Sequence, residues 1–184
     1  MADPKQPADK VWVAIHRESA VIIVQGRGSF KFSTALKHFG QAAIDSGCKS
    51  IVLDMAQCIG MDSTFMGVLA GLATRIRQNQ GELVMLNLAA RTRGLIATLG
   101  LDQIVSAHSP ESTPDQYRDF VHLRDGEGLA ELRPGDTQRI NTAATMLEAH
   151  ENLVQLSPDN APRFKDVVAF LREDLKRKTE SGLE

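Results

Sequence analysis

The chain is poor in cysteine, poor in aromatic residues, and has no excess of either charge. Its two cysteines, Cys48 and Cys58, cannot build a disulfide framework and read as reduced thiols. Together with His108 they also lack the spacing of zinc ligands, so no metal site is expected. Aromatic residues at 5% disfavour a sandwich rich in Trp and Tyr. Lys and Arg number 21 against 23 Asp and Glu, which leaves no electrostatic footprint for nucleic acid. No apolar run reaches the ~18 residues that a membrane helix needs. Residues 1–10 are polar and carry no signal-peptide core, so a cytoplasmic protein away from membranes is the expectation. There is no Walker loop and no Gly-x-Gly-x-x-Gly after a strand, and hence no expected nucleotide cradle or cofactor.

What is present is enough apolar residue, 42%, for a packed core, arranged in alternating patterns. Residues 11–16 and 20–25 are strand-like runs joined closely enough for a hairpin. Gly26-Arg27-Gly28-Ser29 interrupts the second run and reads as a turn. Ser33 or Thr34 then looks like the cap of a helix with Leu36, Phe39, Ala43 and Ile44 on one side, closed by Gly47. A buried strand follows at residues 50–55, a helix from Ser63 to about Asn79, and a strand at 82–87. A short helix at 91–99 and a short strand at Ile104-Val105 complete the series. Strands alternating with helices imply βαβ units and an α/β domain over residues 11–107.

The centre of this pattern is Met61-Asp62-Ser63-Thr64-Phe65-Met66-Gly67. Asp62, Ser63 and Thr64 are all helix-capping types, and Phe65, Val68, Leu69, Leu72, Ala73 and Ile76 mark one buried face. The opposite face carries Met66, Gly67, Ala70, Gly71 and Thr74 instead of the charge usual on a solvated surface. Two glycines in a helix cost about 1 kcal/mol each relative to Ala. Such a face suits close approach, either by a partner or by another part of this chain. Ser63 is either a plain cap or a reactive hydroxyl. Hydrolysis would need a distant histidine, His16, His38 or another, because no Gly-x-Ser-x-Gly elbow surrounds it.

Beyond His108 the composition changes. Residues 108–135 read as a linker with weak structure, whose apolar handles are Tyr117, Phe120, Val121 and Leu123. Pro134-Gly135-Asp136 reads as a turn with a cap. Residues 137–156 form a helix with Ile140, Ala144, Leu147 and Val154 on one face, and 161–178 a second with Phe164, Val167, Val168, Leu171 and Leu175. They make an αα-hairpin over residues 136–178 that must bury its stripes on the α/β domain, another copy, or a partner. Residues 1–10 are expected to be a disordered tail and 179–184 a C-terminal tail.

The run Val52-Leu53-Asp54, then Met61-Asp62-Ser63-Thr64, Gly67-Val68-Leu69, Gly81-Glu82-Leu83 and Leu99-Gly100-Leu101-Asp102-Gln103-Ile104 resembles the STAS domain of bacterial anti-sigma factor antagonists. The resemblance covers residues 11–107 and implies a mixed sheet with helices packed against it. It further implies that Ser63 is phosphorylated by a partner anti-sigma factor kinase, which binds the Mg-ATP, and that the unphosphorylated form binds that kinase. Asp62, Thr64, Met66, Gly67, Ala70, Gly71 and Thr74, with Gly28 and Ser29, would form the partner surface. Phe65 stands where the family usually has Gly, and Gly28-Ser29-Phe30 replaces a turn that usually carries an acid. A phosphatase and a homodimer through the hairpin are further expected partners. The alternative is a scaffold or dimerisation module that is never phosphorylated.

Overall fold

The computed structural model describes residues 8–125, 128–134 and 139–181. Residues 1–7 and 182–184 of the expected tails and residues 135–136 of the expected turn lie outside the described residues, while Lys10 opens the first strand and the last helix runs on to Glu180. β1 (Lys10–His16) and β2 (Ser19–Gly28) form an antiparallel hairpin. Its tight turn places Arg17 in the left-handed region at φ 54°. α1 (Phe30–Asp45), β3 (Ser50–Met61), α2 (Ser63–Gln78), β4 (Glu82–Leu86), α3 (Ala90–Thr98) and β5 (Ser106–Ala107) follow. After 3₁₀ turns at Pro110–Ser112 and Asp115–Asp125 come β6 (Ala130–Glu131), α4 (Arg139–Leu156) and α5 (Ala161–Glu180).

The described strands form one mixed sheet in the order β5-β4-β3-β2-β1-β6. β2 through β5 are parallel, and β1 is antiparallel to both of its neighbours. This is the mixed sheet with packed helices that the resemblance implied. The central runs are apolar on both faces, as strands covered on two sides must be. One face carries the main core: Ile22, Ile51, Leu53 and Met85 pack with Leu36 of α1, Phe65 and Leu69 of α2, and Ile96 of α3. The other face, Val21, Ile23, Val52, Val84 and Leu86, is closed by Tyr117 and Phe120.

Several boundaries differ from the sequence expectation. α1 begins at Phe30 with Ser29 at its N-cap, so Ser33 and Thr34 lie inside the helix and are buried. The last parallel strand is Ser106–Ala107, while Ile104 and Val105 form the turn leading into it. β2 runs through Gly28, because it keeps pairing with β3 past an irregularity near Gly26.

The hairpin lies on α2. On its first helix Leu147 and Val154 of the expected stripe are half-buried and Ala144 is exposed, while the fully buried positions are Ala143, Thr145, Ala149, His150 and Leu153. The cause is the small-residue face of α2. Backbones approach closely there, so proximity rather than side-chain apolarity decides which residues are covered. On α5 the expected stripe does turn inward, with Leu171 buried and Phe164, Val167, Val168 and Leu175 half-buried.

Candidate functional site: the start of α2

The site forms where β2 and β3 end side by side and α1 and α2 begin. Asp62 ties these ends together. Its Oδ1 accepts the Phe65 N–H at 2.9 Å, capping α2, and its Oδ2 accepts the Phe30 N–H at 2.7 Å in the first turn of α1. Its own N–H donates to the Gly28 carbonyl at 3.0 Å. One carboxylate thus fixes two helix starts against a strand end, using donors that helix geometry leaves unpaired. Ser29 lies in the same corner, and its buried hydroxyl has no hydrogen-bond partner among the described residues.

Ser63 is the first residue of α2 and is half-buried. Its Oγ lies 3.0 Å from Nε2 of His150 on α4. The opposite ring nitrogen, Nδ1, lies 2.7 Å from the Met146 carbonyl. A carbonyl only accepts, so Nδ1 carries a proton, and in the neutral ring Nε2 accepts the Ser63 hydroxyl. His150 is 3% exposed, and its ring meets the Phe164 ring edge-on at 5.0 Å between centroids.

Further along, α4 follows the glycine face. A Cβ on Gly67 would lie 2.1 Å from the Ala149 carbonyl oxygen, so only glycine permits this contact. A Cβ on Gly71 would lie 2.5 Å from Nδ2 of Asn152, which donates to the Gly67 carbonyl at 3.2 Å. Thr145 bonds Thr34 at 3.2 Å, and Glu148 pairs with Lys37. Beside this contact runs a groove of about 570 Å³, lined by Thr74, Arg75, Gln78 and Lys37 among others.

The fold therefore gathers Gly28, Ser29, Asp62 and Ser63 at one corner. It sets Gly67 and Gly71 against α4, buries Thr64, Met66 and Ala70, and leaves Thr74 exposed at the groove. The residues that sequence reasoning missed are His150, Thr145 and Asn152. The glycine spacing on α2 signalled a close neighbour without naming it. The histidine that the sequence could not supply locally to Ser63 is His150, 87 positions away. Phe65 is fully buried, and Gly28 lies against its ring, where a Cβ would come within 2.8 Å. Burial raises the Cys58 thiol above its ordinary value against the opposing backbone hydrogen bonds of Gly60 and Gly28, and Cys48 is likewise raised, first by burial and then by Glu18. Both are poor nucleophiles.

No curated protein matches the chain by sequence. Solved structures do match its fold. A putative anti-sigma factor antagonist from Thermotoga maritima aligns at 15% identity and TM-score 0.50, covering 60% of this chain and 92% of that one. An anti-sigma factor antagonist from Mycobacterium paratuberculosis aligns at 20% identity and TM-score 0.50, covering 66% and 99%. The family profile described as "Mlab, STAS domain" matches residues 11–106, more than half of the sequence and all of the sheet except β5's last residue and β6, apart from Lys10. By that match and by the β2-to-β5 parallel sheet with its capped α2, the chain belongs to the STAS domain family.

Proposed function

We propose that this protein is an anti-sigma factor antagonist, a protein–protein switch in bacterial transcription whose state is set by phosphorylation of Ser63. The observation that carries the reading is the placement of Ser63: a half-buried hydroxyl at the first position of α2, beside the Asp62 cap. In the phosphorylation step Oγ of Ser63 forms a bond to the γ-phosphorus of Mg-ATP held by the partner kinase. The bond from that phosphorus to the β–γ bridging oxygen breaks, ADP leaves, and the hydroxyl proton passes to a base of the kinase. A phosphoserine brings roughly −1.5 to −2 charges at pH 7. The dipole of α2 tolerates that charge by about 0.3–1 kcal/mol at an accessible site. The effect therefore falls on binding: a partner surface shaped for a neutral hydroxyl meets a dianion beside Asp62.

The protein itself performs no catalysis in this reading. Ser63 and His150 stand at nucleophile–base distance, but His150 belongs to the helix that covers the hydroxyl, where a substrate would have to lie. Incubation of the full chain with Mg-ATP and a serine kinase of the anti-sigma class, followed by mass spectrometry, tests the proposal. Phosphate on Ser63, absent from Ser63→Ala, is the expected result. Phosphate elsewhere, or none with Ser63 intact, overturns it.

The second reading, a scaffold that is never phosphorylated, is favoured by one observation: α4 occupies the small-residue face of α2. It requires a partner affinity that is the same for Ser63→Asp and wild type.

A further inference from the structure

The face of α2 that suits a partner already has an occupant in this chain. α4 contacts it through a backbone approach at Gly67, a side-chain amide bonded to the Gly67 carbonyl, and the Ser63–His150 hydrogen bond. The polar links that tie the hairpin to the domain are Thr145 to Thr34, Glu148 to Lys37, Asn152 to Gly67 and His150 to Ser63, together with the buried Asn160 amide, which donates to the Leu99 carbonyl at 2.9 Å. Each is a group that water or a new partner can satisfy once α4 leaves. Leu153 and Ala149 supply the apolar part of the contact.

We propose that the α4–α5 hairpin is a displaceable intrachain occupant of the partner face, latched at Ser63 by His150. The protein partner that fits this surface presents a helix of small residues to Gly67 and Gly71 in place of α4. The hairpin governs the switch twice. While it is closed, the Ser63 hydroxyl is engaged with Nε2 and out of a kinase's reach. Once phosphate is on Oγ, the 3.0 Å separation from Nε2 leaves no room for a phosphoryl group, and the hairpin stays open. Among the described residues, charged groups beside the latch include Asp62 on the α2 side and, along α4, Glu148 and Glu151, which are paired with Lys37 and Arg172. This inference rests on Ser63 as the phosphoacceptor, but its test needs no kinase.

The test is to build phosphoserine into position 63 during translation of the full chain and to follow amide hydrogen exchange beside wild type and His150→Ala. Exchange in α4 should rise roughly tenfold or more with phosphoserine and roughly fivefold in His150→Ala, with β2 and β3 unchanged. Slower exchange in the phosphoserine chain would mean that a charged imidazole grips the phosphate, and overturns the proposal. So does α4 exchange within twofold of wild type in either chain. Equal loss of protection in α4 and β3 makes the hairpin an inseparable part of the core and also overturns it. Should the phosphoserine chain fail to fold, His150→Ala carries the test alone, because it adds neither bulk nor charge. Failure of kinase labelling in His150→Ala, where the latch is released, together with a positive exchange result refutes the phosphoacceptor reading and leaves the latch standing.

Discussion

At the scale of the residue, Phe65 and Gly28 form one unit. Phe65 fills the space at the end of β2 that only a glycine leaves open, so its departure from the family pattern and Gly28 belong together. Gly28→Ala should cost about 1–3 kcal/mol as overpacking, and Phe65→Ala about 3–5 kcal/mol as a cavity. Urea midpoints check both, and Phe65→Leu should recover part of the Gly28→Ala loss because the two sites touch. Tyr117 makes a second, pH-dependent case. Burial first, and then its hydrogen bond to Glu82 at 2.5 Å, push its phenol up to about 12. Folding thus favours the protonated phenol. That contribution is fully present below the ordinary tyrosine value near 10 and is lost as pH rises through about 12. Stability should fall between these limits, and Tyr117→Phe should flatten the decline in urea midpoints measured from pH 9 upward.

At the scale of the element, α2 is shaped by two opposing demands. Its inner face is a normal apolar stripe, and its outer face gives up side chains so that α4 can come close. Gly67→Ala separates the two. Alanine favours the isolated helix by about 1 kcal/mol, yet its Cβ meets the backbone of Ala149, which cannot swing aside as a side chain can. Hydrogen exchange should show α4 losing protection while the β3 amides hold or gain. The inner stripe of α2 was legible in the sequence, because helical periodicity is local. The start of α1 was not: Ser33 and Thr34 have the chemistry of caps, but Thr34 spends its hydroxyl on Thr145, 111 positions away. The most buried positions of α4 were missed for the same reason. Ala149 and His150 are chosen by what lies opposite, and no pattern within α4 states that.

At the scale of the whole molecule, the β–α alternation fixed the order of elements, and the apolar runs marked which strands lie inside. The corner at Asp62 and Ser63 was visible as a cluster of capping residues after a buried strand. What closes over it was not, because His150 carries no motif and reaches Ser63 only through the fold. One further feature bears on how such a closure would respond to a competitor. β6 pairs with the free edge of β1, Trp12 opposite Glu131 and Val13 opposite Ala130, and the Leu132 N–H donates to the Val11 carbonyl at 2.7 Å. The chain before the hairpin is thereby anchored to the sheet, and the stretch from Glu131 to Arg139 spans at most about 28 Å when fully extended. A hairpin lifted from α2 cannot diffuse away. It faces its own site at an effective concentration in the millimolar range typical of short tethers. An external partner at micromolar concentration would compete against a rival a thousandfold more concentrated, whose advantage does not change when the protein is diluted. The anchor at β6 therefore sets a threshold on partner concentration, independent of how much of this protein is present.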